Sequence, residues 1–309
     1  MSTLLITHPA CLEHQTPSGH PERPDRLRAI EKAFEDERFQ TLAREQAPRA
    51  DFETIALAHP MEYVQALENA TPEEGVIHLD ADTAMSPGSF EAALRAVGGG
   101  MMAVDEVMNQ NAANAFVATR PPGHHAETAR PMGFCLFNNI AIATRYAQKR
   151  YGAERAAIVD FDVHHGNGSQ DIFWADKSVM YCSTHEMPLY PGTGAISERG
   201  EFNTIFNAPL RAGDGGAEFR EAMETVILPR LREFKPDILL ISAGFDAHTR
   251  DPLANLNLVE ADFTWVTQKL MEIADQSAQG RIVSMLEGGY DLQGLSRSAA
   301  AHVTALMRG

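Results

Sequence analysis

The sequence predicts an α/β fold: one domain, residues 1–309, with a mostly parallel central sheet flanked by helices. Two observations support this prediction. From about residue 115 onward, short apolar segments alternate with segments of helical periodicity, which is typical of parallel strands covered by helices on both sides. The chain also lacks a linker-like stretch and an internal repeat, so its 309 residues favour one large domain over two ordinary ones.

The first third of the chain is mostly helical in pattern. A short strand at 4–6 leads into a polar loop, 8–23, in which proline and glycine interrupt any regular element. Pro24 suits the first turn of a helix, because an N–H group is not needed there. A long helix at 86–108 contains three consecutive glycines, which destabilise a helix, so we expect close packing against another element to compensate.

The remaining elements alternate regularly. The apolar segments are short and read as strands buried on both faces, whereas the intervening segments repeat their apolar residues with a helical period. The predicted strands lie at 115–118, 157–160, 179–182, 204–207, 238–242 and 281–286. Five helices are predicted between and after these strands. The first begins after residue 138, and the next three lie at 170–174, 217–234 and about 260–274. The last helix runs to residue 307.

Composition and charge narrow the classes of function. With 44% hydrophobic and 22% charged residues, the chain is typical of a globular protein. A net charge of -16 argues against nucleic acid as a partner, because the basic footprint of such proteins is missing. The same charge would attract cationic substrates over a distance.

The sequence also bears on location and assembly. No apolar run approaches the roughly 20 residues that span a membrane, and the first residues lack the basic and apolar segments of a signal peptide. The three cysteines form no C-x-x-C pair and are odd in number, so we expect reduced, buried thiols and a cytoplasmic location. A homo-oligomer is compatible with the sequence, which does not determine the oligomeric state.

The segment 157–168 carries the densest chemistry of the chain. It begins as a buried strand and continues into Asp160, Asp162 and His164, which can point the same way because side chains on an extended backbone repeat every second residue. A neighbouring carboxylate and imidazole suit zinc or a similar divalent ion. The motif alone is weak, since polar groups at a strand end can also simply hydrogen-bond one another.

Reactive side chains follow four of the predicted strands. In an open parallel α/β sheet, ligands bind beyond the carboxyl ends of the strands, so we expect all four sets at one edge of the sheet. This coincidence is stronger evidence than any single motif. The residues are His124 and His125 after 115–118, Asp162 and His164 after 157–160, Asp246 after 238–242, and Tyr290 after 281–286.

Each residue type fits a role in hydrolysis. Asp162, His164 and Asp246, called the metal group below, would be three ligands of one divalent ion, with positions left open for water and substrate. His124 and His125 can take a proton from the attacking water and return one to a leaving group. The sequence leaves open which histidine does which.

Three further residues fit supporting roles. Tyr290 could donate its phenol proton to a developing oxyanion, although a core tyrosine with a satisfied hydroxyl is the alternative interpretation. Asp160 and Asn167 could orient the two imidazoles. Isolated histidines in loops are interpreted as solvated or capping side chains; these are His14, His59 and His185.

Five motifs together resemble the signatures of the histone deacetylase family. The class II-like, bacterial-type branch fits best, because position 167 is Asn and the sequence Glu-Gly-Gly precedes Tyr290. The resemblance extends from about residue 6 to the last helix. The motifs are Arg-Pro-Pro-Gly-His-His-Ala at 120–126, Gly-Phe-Cys-Leu-Phe-Asn-Asn at 133–139, Asp-Phe-Asp-Val-His-His-Gly-Asn-Gly at 160–168, Ala-Gly-Phe-Asp at 243–246 and Leu-Glu-Gly-Gly-Tyr at 286–290.

The resemblance implies the arginase/deacetylase fold, a parallel sheet of about eight strands and one catalytic Zn²⁺ on the metal group. It implies that Asp160 supports His124 and that Asn167 supports His125. Arg26 would lie at an inner cavity through which acetate leaves. A structural K⁺ ion is also implied, and its ligands would be Asp160, Asp162, His164, Ser183 and Thr184.

The same resemblance implies a substrate channel. Gly133 and Phe134 would line it, with Tyr190 on the opposite wall, where the family usually has Phe. Asp82 would hold the substrate backbone at the rim. Leu253 would lie at the mouth, where polyamine-selective relatives carry Glu.

The expected function is that of a zinc-dependent amidohydrolase that removes acetyl groups, with an Nε-acetyl-lysine peptide as substrate and partner. A small acetylated amine, such as an acetylpolyamine, is the main alternative. An arginase-like enzyme with two metals is suggested by a second Asp-x-His at 246–248, but Gly166 stands where that chemistry requires Asp. A non-catalytic module that binds acyl-amines is disfavoured, because the complete reactive set is present. The sequence does not distinguish zinc from iron.

Overall fold

Eight strands form the central sheet of this computed structural model, which describes residues 2–308. The strands of the chain are β1 Thr3–Thr7, β2 Ala43–Gln46, β3 Ile77–His78, β4 Ala84–Met85, β5 Asn114–Val117, β6 Ala156–Asp160, β7 Val179–Glu186, β8 Ile205–Leu210, β9 Ile238–Ala243 and β10 Ile282–Leu286. The order in the sheet is β2-β1-β5-β10-β9-β6-β7-β8, with every neighbouring pair parallel. Strands β3 and β4 form a separate antiparallel pair. The predicted fold class is confirmed.

Helices cover both faces of this sheet. They are α1 Asp25–Ala33, α2 Phe52–Ile55, α3 Met61–Ala70, α4 Ser89–Met108, α5 Asn139–Tyr151, α6 Asn167–Phe173, α7 Gly216–Ala222, α8 Leu228–Phe234, α9 Glu260–Ser277 and α10 Leu292–Leu306. Helices α1 and α7 to α10 share one hydrophobic core with the sheet, and α4 and α5 share the other. No helix among residues 2–308 combines the length and apolar character needed to cross a membrane.

The central strands are apolar on both sides because each side of the sheet is buried. Along β9, Leu239 and Ile241 belong to the core beneath α7 to α10, whereas Ile238 and Leu240 belong to the core beneath α4 and α5. This alternation follows the two-residue repeat of a strand. It also explains why these strands read as continuous apolar runs in the sequence.

The structure differs from the predicted elements in several places, including the unpredicted short strands β3 and β4. The predicted helix at 217–234 is divided into α7, a π-helical turn at Met223–Ile227, and α8, since Pro229 lacks the N–H group that a regular α-helix would use. Strand β2 was not predicted, because this short edge strand carries mostly exposed polar residues and no buried apolar run. Strand β7 continues beyond its predicted end through polar residues that are all buried.

The interpretation of three histidines as solvated loop residues is wrong, because all three side chains are buried. His14 Nδ1 lies 2.6 Å from Ser89 Oγ. His59 Nε2 accepts the backbone N–H of Asn138 at 2.9 Å, and His185 is also hydrogen-bonded within the fold. These imidazoles fix loops to the core. The cysteines are free and buried, as predicted: Cys11, Cys135 and Cys182.

The three glycines of α4 allow other segments to approach the helix closely. A Cβ atom at Gly98 would overlap the carbonyl oxygen of Pro48. One at Gly100 would lie 2.7 Å from the terminal methyl group of Met285. The predicted close packing is therefore present. It leaves least space for a side chain at Gly98, where the neighbouring atoms belong to the backbone.

These contacts predict different costs for two alanine substitutions in one helix. Gly98→Ala should destabilise the fold by about 1–3 kcal/mol, because the Pro48 backbone must move. Gly100→Ala should cost less, because the flexible Met285 side chain can turn away. Urea unfolding of both variants measures the difference. A Gly98→Ala variant at least as stable as the wild type would show that helix propensity, which favours Ala by about 1 kcal/mol, dominates instead.

Candidate metal centre and active site

The four strands that carry the predicted reactive residues are neighbours in the sheet, in the order β5-β10-β9-β6. Because they are parallel, their carboxyl ends meet at one edge. The loops that leave these ends bring together the metal group, the two histidines and Tyr290. The structure thus places all four predicted sets in one region.

The metal group is compact and buried. One ligand atom from each of Asp162, His164 and Asp246 lies within 4.8 Å of the others, and this is the one such group of three found within residues 2–308. His164 directs Nδ1 toward both carboxylates, 3.0 Å from Asp246 Oδ2 and 3.3 Å from Asp162 Oδ1. Two carboxylates and an imidazole are a suitable donor set for a divalent cation.

The electrostatics of the metal group also fit a cation. Burial, followed by the negative charge of Asp162, raises the pKa of Asp246 to about 7. Burial lowers the pKa of His164, but its hydrogen bonds to the two aspartates outweigh burial and raise the pKa to about 10. The buried carboxylates therefore favour a positive charge between them. The group can hold a metal ion.

Two glycines make room for the metal group, and the sequence analysis did not identify their role. A Cβ atom at Gly244 would overlap the carboxylate of Asp162, and one at Gly288 would overlap that of Asp246. The backbone N–H of Gly288 also donates to Asp162 Oδ2 at 2.8 Å. Gly288, the first glycine of the turn before Tyr290, is thus packed against the ligands, and its close approach leaves no space for a larger side chain.

The second metal of an arginase-like centre finds no support. The imidazole of His248 accepts the backbone N–H of Arg250 and lies 3.8 Å from Glu260, away from the metal group. At Gly166, an added Cβ atom would overlap the carboxylate of Asp160. Residue 166 therefore has no space for the additional aspartate.

The two histidines after β5 have different partners. His124 Nδ1 lies 2.9 Å from Asp160 Oδ2, and His125 Nδ1 lies 2.8 Å from Asn167 Oδ1. Burial lowers the pKa of His124, but the negative charges of Asp160 and Asp162 outweigh it and raise the pKa well above its usual value. Burial and the positive charge of His124 hold the pKa of His125 well below its usual value. The pKa values of these two neighbouring imidazoles are therefore shifted in opposite directions.

Glu287 is a buried carboxylate whose function the sequence analysis missed. It accepts the backbone N–H groups of Gly123 at 2.7 Å and His124 at 3.1 Å, and the hydroxyl of Ser242 at 3.0 Å. Burial raises its pKa to about 7. Glu287 thus fastens the loop after β5 to the end of β10. Its position in the Glu-Gly-Gly-Tyr motif could have indicated from the sequence that Glu287 belongs to the site.

Tyr290 lies beside the metal group at the inner end of a cavity. Its ring meets Phe134 edge to face at 5.8 Å, and the guanidinium of Arg26 lies 5.0 Å from the ring centre. Burial raises the pKa of the Tyr290 phenol, so the hydroxyl keeps its proton. A protonated phenol at this position can act as a hydrogen-bond donor.

A cavity of about 200 Å³ leads to these residues. Phe134 and Tyr190 both line it, and Tyr190 also packs edge-on against His125 at 5.2 Å. Asp82 also lines the cavity, and its carboxylate accepts the backbone N–H of Gly133 at 3.0 Å. The lining residues are Asp82, His125, Gly133, Phe134, His164, Leu189, Tyr190, Leu253 and Tyr290.

Arg26 is buried against the turn that carries Tyr290, and its expected place at an inner cavity stays a prediction. Its side chain is inaccessible to solvent, as are those of Glu22 and Arg120 beside it. Arg26 donates from Nε to the carbonyl of Gly289 at 2.7 Å and also to Glu22 and to the carbonyl of Glu287. The side chain is therefore part of the scaffold behind Tyr290.

The expected potassium site stays a prediction. The pairing of β6 with β7 places Asp160 beside Ser183. Ser183 Oγ lies 2.8 Å from His185 Nδ1, which already accounts for one hydrogen bond of this hydroxyl. These contacts do not identify a cation.

Similarity to known proteins extends over almost the whole chain. A family model described as "Histone deacetylase domain" matches residues 20–306. The chain belongs to the histone deacetylase family. Histone deacetylase 10, chloroplastic, of Oryza sativa subsp. japonica is 40% identical over 317 residues, which cover 96% of this chain and 71% of that protein. A probable deacetylase of Archaeoglobus fulgidus is 39% identical over 319 residues, which cover 100% of this chain and 87% of that protein.

A solved structure agrees with this membership. The HD domain of HDA15 superimposes with a TM-score of 0.94 and 35% sequence identity, over 99% of this chain and 88% of that chain. The arginase/deacetylase fold is therefore confirmed. As a member of the histone deacetylase family, the chain is a hydrolytic deacetylase of the amidohydrolase type.

The geometry of the metal group predicts the effect of removing one carboxylate. Asp246→Asn should lose the bound divalent ion, about one per chain, because a neutral amide is a poor metal ligand. Asp237→Asn, at the other end of β9, is the matched control and should keep its metal. Elemental analysis of the purified proteins makes the comparison. Two tightly bound ions per wild-type chain, both required for turnover, would contradict a single-metal centre.

Proposed function

We propose that this chain is a zinc-dependent deacetylase that removes the acetyl group from Nε-acetyl-lysine in peptides or proteins. The observation that supports it is the cavity that Phe134 and Tyr190 line together with His164 of the metal group and Tyr290. The aliphatic stem of an acetylated lysine matches such a channel, because it can contact Phe134 and Tyr190 along its length. The acetyl group would then reach the reactive residues.

The residues around the cavity divide the proton transfers between them. When bound by the metal group, zinc would polarise the acetyl carbonyl and lower the pKa of the attacking water. His125 lines the cavity, and its low pKa keeps it neutral, so it would accept the proton of the water and pass one to the leaving amine. His124 does not line the cavity; held protonated by Asp160, it would provide positive charge behind the reaction.

Tyr290 would stabilise the oxyanion of the tetrahedral intermediate. Its high pKa keeps the phenol proton available, and the packing against Phe134 fixes its ring. A preorganised donor of this kind acts on charge that appears only in the transition state. Tyr290 would therefore contribute to turnover more than to substrate binding.

Substrate selection would occur at the mouth of the cavity. Asp82 has a carboxylate at the rim that can accept N–H groups of a substrate backbone, while Leu253 offers only apolar contact. A small acetylated amine, such as an acetylpolyamine, is the second candidate substrate, because the rim carboxylate and the net charge of -16 would also attract a distal ammonium. Comparing acetyl-lysine peptides with acetylpolyamines on the purified enzyme tests the proposal. Cytoplasmic location also stays a prediction.

The role of Tyr290 predicts a selective loss of turnover. Tyr290→Phe should lower kcat by about 10² to 10³ with little change in KM, because the lost hydrogen bond forms in the transition state. Tyr63→Phe removes a buried hydroxyl elsewhere and should leave kcat unchanged. Steady-state kinetics on an acetyl-lysine peptide measures both variants. Full activity of a folded Tyr290→Phe variant would mean that another group stabilises the oxyanion.

The apolar mouth predicts a preference for acetyl-lysine over N8-acetylspermidine. A carboxylate a few ångströms from a cation contributes about 1–4 kcal/mol, or about one to three powers of ten in preference. Leu253→Glu should therefore shift the ratio of kcat/KM values toward the polyamine. Leu253→Gln supplies similar polarity without charge and should shift it much less.

The shift produced by Leu253→Glu should also shrink at high salt, because ions screen an attraction at an exposed mouth. The kinetic measurement compares both substrates at low and high ionic strength. A wild-type enzyme that already prefers the polyamine would contradict the prediction, and Asp82 would then be the next carboxylate to test.

A further inference from the structure

Asp251 is a buried carboxylate near the active site that takes no part in the metal group. It lies in the loop after β9. Its Oδ2 accepts the backbone N–H of Tyr290 at 2.7 Å and that of Asp291 at 3.3 Å. Its Oδ1 accepts the backbone N–H of Leu253 at 3.0 Å. One side chain thus joins the loop after β9 to the loop after β10.

The turn that carries Tyr290 is held at three successive residues. The N–H of Gly288 donates to Asp162, and the carbonyl of Gly289 accepts from Arg26. Gly289 has a φ of 123°, a conformation open mainly to glycine. Because glycine restricts its own backbone least, contacts of the adjacent residues must fix the direction of the chain after it. Asp251 is the side chain that binds the backbone of Tyr290 itself.

The hydrogen bonds of Asp251 require a carboxylate. Both of its oxygens face N–H donors, and an ionised carboxylate is an acceptor at each oxygen. An asparagine would keep one acceptor but would turn an NH₂ group toward the other N–H. Bonds from backbone N–H groups to a charged acceptor are stronger than those to a neutral one.

We propose that Asp251 is a positioning residue for Tyr290, an inference that rests on the proposed function. It holds the backbone from which the phenol reaches the reacting carbonyl. Because the same carboxylate binds the N–H of Leu253, it also holds a second residue that lines the cavity. Asp251 acts through these two residues and does not touch the substrate.

The neighbouring residue Arg250 provides a matched control. Its guanidinium donates to Asp291 Oδ1 at 2.9 Å in an exposed ion pair. Arg250→Gln therefore weakens a contact between the same two loops, but leaves the bonds of Asp251 in place. Exposed pairs of this kind contribute little to stability.

A double-mutant cycle with Tyr290→Phe tests the proposal. Asp251→Ala should lower kcat by about 10²-fold with KM little changed, since a misplacement of about 1 Å can have that effect. Asp251→Asn should lose less, because one acceptor remains, and Arg250→Gln should stay near the wild type. In the Tyr290→Phe background, Asp251→Ala should have almost no further effect on kcat. Equal losses in both backgrounds would overturn the proposal, as would a change confined to KM.

Hydrogen exchange gives a second measurement that does not depend on turnover. The amides of Tyr290 and Asp291 should exchange faster in Asp251→Asn than in Arg250→Gln or the wild type. Unchanged protection would overturn the proposal even if activity falls, and it can be measured on Asp251→Asn if Asp251→Ala does not fold. A wild type that hydrolyses no acetylated amine would refute the proposed function, while the exchange experiment would still decide whether Asp251 holds Tyr290.

Discussion

The rest of the structure depends on the hydrogen-bonded pairing of β5, β10, β9 and β6. The register places Val117, Met285, Ser242 and Asp160 in one row across the sheet. With parallel strands about 4.8 Å apart, this row is about 14 Å wide. Every reactive residue comes from a loop that begins just beyond the row. The four buried strands thus fix the relative positions of side chains that are distant in the sequence.

Buried negative charge is the second constraint. Asp160, Asp162, Asp246 and Glu287 lie within the same few loops, and none is accessible to solvent to a useful degree. Such charges are tolerated only with partners. Backbone N–H groups, imidazoles and a tyrosine hydroxyl supply many of these partners, and the glycines bring the backbone close enough to do so. The arrangement of the reactive residues therefore also stabilises the buried negative charge of these carboxylates.

The sequence was sufficient to predict the main strands, their parallel arrangement and the edge where the reactive residues meet. These depend on local apolar runs and on a general rule for parallel sheets. It was also sufficient to pair His124 with Asp160 and His125 with Asn167, because the family resemblance carried the pairing. Each of these inferences uses information within a short segment or a known motif.

The features that were missed depend on contacts between distant segments. The partners of Arg26 could not be inferred from the sequence, because its Nε bonds a carbonyl 263 residues away, a contact that no local pattern encodes. The loop residues His14 and His59 were expected to be solvated, because burial by distant helices cannot be inferred from the sequence around them. Asp251 is an ordinary loop aspartate in the sequence, and only the approach of the loop after β10 adds two donors to the local one from Leu253.

The burial of two aspartates in the metal group has a consequence for the folding equilibrium. An empty chain must fold with these carboxylates close together, whereas a cation that binds only the folded chain removes that repulsion. Mass action then adds about 4.1 kcal/mol to the free energy of unfolding when the free metal is at 1,000 times its Kd. This is a large share of the roughly 5–15 kcal/mol that stabilises an ordinary domain. The supply of metal would then govern how long the protein resists unfolding and proteolysis, independently of any substrate.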